Sequence, residues 1–118
     1  MITIAAQGKE YTFRDYMKGM EYTRILNEVF NKGFNPLRDT NADAISTIFF
    51  QVFPTADKIA AEMSIEPKLE SLEEEPAMVM VEMERHILKM FIDLVFEHQK
   101  IGKDLEMSGK AKSGTLKK

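Results

Sequence analysis

Alternating β-branched and aromatic residues (Ile2, Ile4, Tyr11 and Phe13) flank Gln7-Gly8-Lys9, a pattern that predicts a small hairpin with glycine supplying a positive φ in a tight turn. Two strands alone are marginal in water, so this hairpin must pack on a helix or pair with another chain. Thr12-Phe13-Arg14-Asp15 has the form of a capping box, and the first helix is expected to run from there to about Lys32, with Gly33 as its stop. At 100° per residue that helix would have two apolar faces. Phe13, Tyr16, Met17 and Met20 share one, and Tyr22, Ile25, Leu26, Val29 and Phe30 share nearly the opposite one. Either the helix breaks near Lys18-Gly19 or one patch meets a partner.

Further along, Thr40-Asn41-Ala42-Asp43 opens a second helix whose apolar stripe is Ala42, Ile45, Ile48, Phe49, Val52 and Phe53, with Pro54 expected to end it. Thr55 begins a short third helix through Ile59, Ala60 and Met63, and Glu66-Pro67 opens an acidic connection over 69–75. The longest helix is expected from Pro76 to about Ile101. Pro76 suits a first helical position, and Glu73, Glu74 and Glu75 suit the positive end of the dipole. Its polar residues Glu82, Arg85, Lys89, Asp93, Glu97 and Lys100 form one stripe on an otherwise apolar helix, which makes it either the central helix of the fold or one shared with another subunit. From Gly102 the apolar periodicity stops, and 102–118 reads as a flexible basic tail. The fold expected is mainly α with a short N-terminal β-hairpin (α+β), three to four helices packed around the long one, in a single domain over 1–101.

Composition narrows the class. At 118 residues, 44% hydrophobic and 30% charged, the chain suits one packed domain. The absence of cysteine excludes disulfides, thiolate metal sites and a cysteine nucleophile, and fits a reducing, cytoplasmic setting. No secretory signal and no membrane span is expected from the apolar runs. Net charge is −3, unevenly spread: five lysines against Asp104 and Glu106 give 102–118 a charge of +3, leaving −6 on 1–101. An acidic body is a poor nucleic-acid binder.

Chemistry is scarce. His86 and His98, twelve residues apart on one helix, point about 120° away from each other and cannot share a metal. The glutamates between Glu62 and Glu75 lack the ligand spacing of a calcium loop, and no phosphate loop or nucleophile elbow is present. Neither an enzyme nor a cofactor or metal is expected. Nine methionines, four of them Met78, Met80, Met83 and Met90, suit either a core or an adaptable groove for helices.

Met1-Ile2-Thr3-Ile4 followed by Gly8-Lys9-Glu10-Tyr11-Thr12-Phe13 and a helix resembles the start of the small tail assembly chaperones of long-tailed (siphovirus-like) bacteriophages and prophages. That resemblance covers roughly the first thirty residues. Ala5-Ala6-Gln7 makes this hairpin longer than the family's pattern. It implies a non-enzymatic, self-associating helical protein in the host cytoplasm that binds an aggregation-prone tape-measure protein during tail assembly, sometimes with a frameshifted longer form. On this reading the partner-binding residues are Met17, Met20, Met83, Met90, Phe91 and Leu94, with the basic tail as an accessory. The alternative is a small helical dimeric regulator or adaptor from a mobile element, acting on one folded protein.

Overall fold

In the computed structural model, the backbone is described over 1–38 and 41–116, and side chains as far as Lys103. Strand β1 (Ile2–Ala6) and strand β2 (Lys9–Phe13) form the expected hairpin. Its loop is Gln7-Gly8, with φ of 52° and 75°. Positive φ at both central residues is the twist-matched hairpin geometry, which glycine meets without strain. The register pairs Ile2 with Phe13 and Ile4 with Tyr11, so all four side chains bury on one face.

A third strand, β3 (Ser64–Glu66), pairs with the other edge of β2, so the sheet order is β1-β2-β3. The Thr12 hydroxyl accepts from the Glu66 N–H at 3.1 Å and lies 3.2 Å from the Glu66 carbonyl, to which it donates. This pairing corrects the expected helix start. Thr12 and Phe13 are held extended by neighbours on both sides, and Asp15 pairs with the N-terminal ammonium at 2.6 Å instead of capping a helix.

Helix α1 spans Gly19–Asn31. Its cap lies at Lys18, whose N–H donates to the Glu21 carboxylate at 2.8 Å. Gly19 is therefore where the helix begins, not where it bends, and Phe13, Tyr16 and Met17 lie outside it. The helix ends as anticipated: Gly33 has φ of 82°, its N–H donates to Phe30 O at 2.9 Å, and Phe34 N–H donates to Val29 O at 3.3 Å. These are the paired bonds of a Schellman stop.

Helix α2 (Ala42–Phe49) is capped by the Asn41 side chain, which accepts from Ala44 N–H at 2.8 Å. A 3₁₀ turn, Phe50–Val52, leads straight into α3 (Phe53–Met63). Pro54 thus sits in the first turn of α3, where a missing N–H costs nothing, instead of ending α2 on its own. The acidic connection that follows is pinned at two points. Leu72 is buried in the core, and the Glu75 carboxylate accepts from the Tyr11 hydroxyl at 2.8 Å.

Helix α4 runs Ala77–Leu116, past the end expected at Ile101 and through Gly102. At 1.5 Å per residue that is about 60 Å, in a molecule measuring 68 × 26 × 20 Å. Side chains beyond Lys103 lie outside the described residues, as does the expectation of a flexible tail that falls on them. Val79, Met83, Ile87, Phe91 and Val95, four apart, are fully buried and form the spine of the core. Rings collect around Phe91, with Tyr22 and Phe49 each 5.7 Å from it between centroids.

Candidate functional site

Of the six residues expected to meet a partner, Met83 and Phe91 are fully buried. A client could reach them only by opening the fold, so their role is corrected to core packing. Both recur on the one face of α4 that α3, α2 and β1 cover, with Tyr22 of α1 against Phe91. Met90 and Leu94 are half-buried on its flanks. Met17 is half-buried against the core, while Met20 is 80% exposed.

Met20 has an exposed neighbour four residues earlier in the chain, Tyr16, at 57%. The segment between β2 and α1 that carries Tyr16 is braced by Arg14, whose backbone N–H donates to Met63 O at 2.8 Å. The Arg14 guanidinium grips Glu21 with two hydrogen bonds, 3.1 and 2.6 Å, and also donates to Tyr16 O at 2.9 Å. It stands 5.2 Å from the centre of the Tyr16 ring. Burial pushes the Glu21 carboxyl up, but the Arg14 hydrogen bonds, the Lys18 N–H and the two positive charges outweigh it and hold Glu21 below the usual carboxylate range. A fixed charge pair thus presents an aromatic ring and a methionine to solvent.

A second polar arrangement lies between α3 and α4. The carboxyl groups of Asp57 and Glu84 lie close enough for each to influence the other's titration. Burial first, then the bond to Asp57 and its charge, push Glu84 up to about 7. Asp57 is also raised, by burial and by the charge of Glu73, while its bond to Glu84 opposes the rise. Among the described residues, Asp57 Oδ1 is buried without a hydrogen-bond partner. A groove of about 360 Å³ adjoins Asp57, lined also by Lys58, Glu70, Ser71, Leu72, Glu73 and Met80. Among the described residues no three His, Cys, Asp or Glu side chains are placed to hold a metal ion. The pair can bind and release a proton.

Sequence pattern missed both charge arrangements. Arg14 and Glu21 meet only because residues 14–18 turn between strand and helix, and Asp57 and Glu84 come from different helices. Glu84 sits beside the buried Met83, which was the one available hint.

Among the described residues no helix is long and apolar enough to cross a membrane. Comparison with protein-family models, with curated proteins and with solved structures finds no match.

Proposed function

We propose that the protein is a non-enzymatic binding protein that holds an apolar, helical client, acting as a tail assembly chaperone on a tape-measure protein in the host cytoplasm. The observation that carries the binding role is the exposure of both Tyr16 and Met20, which flank the turn braced by the Arg14–Glu21 pair. Aromatic and methionine anchors that need little ordering on binding are the side chains that dominate interface energies. Methionine adapts to varied apolar helices, which suits a client recognised by character instead of by one fixed sequence. The tail-assembly setting rests on the resemblance of the opening hairpin, whose turn and register are formed here.

Co-expression with a phage tape-measure protein tests the proposal. The native chain should keep that protein in the soluble fraction and co-purify with it. Replacing both exposed anchors, Tyr16→Ser with Met20→Ser, should abolish co-purification while leaving the melting temperature within about 2 °C, as surface changes usually do. Undiminished capture by the double variant would overturn the assignment.

A further inference from the structure

The outward side of α4 carries a second set of apolar residues. Met78 (54% exposed), Val81 (48%) and Phe96 (38%) fall, with half-buried Leu88 and Ile92, within about 80° of one another at 100° per residue. Beside them runs the charged stripe. Arg85 is 69% exposed and Glu82 28% exposed at their side chains, and Lys89, Asp93, Glu97 and Lys100 are all exposed. The order of signs along this stripe is −, +, +, −, −, +, which inverts about position 91. Laid antiparallel on a second copy about that point, Glu82 falls level with Lys100, Arg85 with Glu97, and Lys89 with Asp93. Every charge meets its opposite.

The ends of the helix fit the same arrangement. Described contacts hold His98 to Tyr22 and Gln99 to the carbonyls of Pro36 and Arg38, whereas 100–103 are exposed and the helix continues to Leu116. In that register Ala77 lies level with Leu105 of the second copy. The remaining stretch to Leu116, roughly 16 Å at 1.5 Å per residue, passes the segment where Glu70, Glu73, Glu74 and Glu75 precede the second copy's α4.

We propose that two copies of this chain pair antiparallel through the outer face of α4, centred near Phe91, in the register that sets Glu82 against Lys100, Arg85 against Glu97 and Lys89 against Asp93. The pairing uses a face distinct from Tyr16 and Met20 and stands apart from the client reading. Opposed charges fix direction and register more than they add affinity, and the apolar stripe supplies the burial.

The absence of native cysteine allows a direct test on the full chain without client. Glu82→Cys and Lys100→Cys variants, mixed and oxidised, should cross-link to each other and neither to itself. A Glu82→Cys homodimer would show parallel pairing, and no cross-link between the two would show a different surface or a different partner; each result overturns the proposal. Sedimentation equilibrium gives an independent reading. Lys89→Glu alone and Asp93→Lys alone should each weaken dimerisation by about tenfold or more, and an equimolar mixture should restore it, because only the mixed dimer keeps both pairs opposite in sign. A native chain that stays monomeric at all concentrations, or a mixture no tighter than its components, refutes the arrangement.

Discussion

Replacing Glu84 by Gln should stabilise the protein at neutral pH and remove a pH dependence that the native chain shows. Glu84 is raised from 4.5 to about 7 by burial and by Asp57. A carboxyl raised in the folded state binds its proton more tightly folded than unfolded, so its contribution is full below about 4.5 and is lost as pH rises through about 7. The full shift of 2.5 units would correspond to about 3 kcal/mol. Partial exposure of Glu84 lets solvent screen the interaction, and roughly 1 to 2 kcal/mol is the discounted expectation. Glutamine keeps a donor toward Asp57 and never ionises, so Glu84→Gln should be more stable than the native chain at pH 8 by that amount. That is a rise of about 4 to 8 °C in melting temperature for a domain of this size. At pH 4.5, where the native Glu84 is protonated, the two proteins should differ little. Urea denaturation followed by circular dichroism at half-unit steps from pH 4.5 to 8 reads both effects. A native curve as flat as the variant's across this window, or a variant less stable than native at pH 8, would refute the raised Glu84 titration.

Two further changes bear on other parts of the fold. Glu21→Gln leaves the half-buried Arg14 guanidinium without its carboxylate and should cost about 2 to 3 kcal/mol at pH 7, read by chemical denaturation. Because Glu21 is held below its ordinary value, its stabilisation is present above about 4.5 and lost as pH falls, so the gap between native and variant should close in acid. Phe91→Ala removes the ring around which Tyr22 and Phe49 gather and should cost about 3 to 5 kcal/mol. A loss below about 1 kcal/mol in denaturant midpoints would return Phe91 to the surface and to a partner role.

Much of the frame was legible in local pattern. The hairpin follows from alternation around a glycine turn, the end of α1 from Gly33, and the start of α4 from Pro76 and the glutamates before it, because each is decided by a few neighbouring residues. Strand β3 was not legible. Three residues, Ser-Ile-Glu, carry no period, and they are strand only because β2 offers an unpaired edge. That same pairing moved the start of α1 from Thr12 to Gly19.

Sequence alone determined that this is a mainly helical chain with a hairpin at its head, no cysteine chemistry, and a charge asymmetry between acidic body and basic end. Helix periodicity, turn stereochemistry and charge are properties of the chain itself. Tertiary structure alone decided which side of α4 is inside. Met83 and Phe91 became core and Met78 and Val81 stayed out, because α3, α2 and β1 cover one face of a helix that is apolar on both. It also decided that Asp57 and Glu84 come together between α3 and α4 and that Arg14 grips Glu21. Those distances depend on how separate segments pack, and spacing along the chain does not record it.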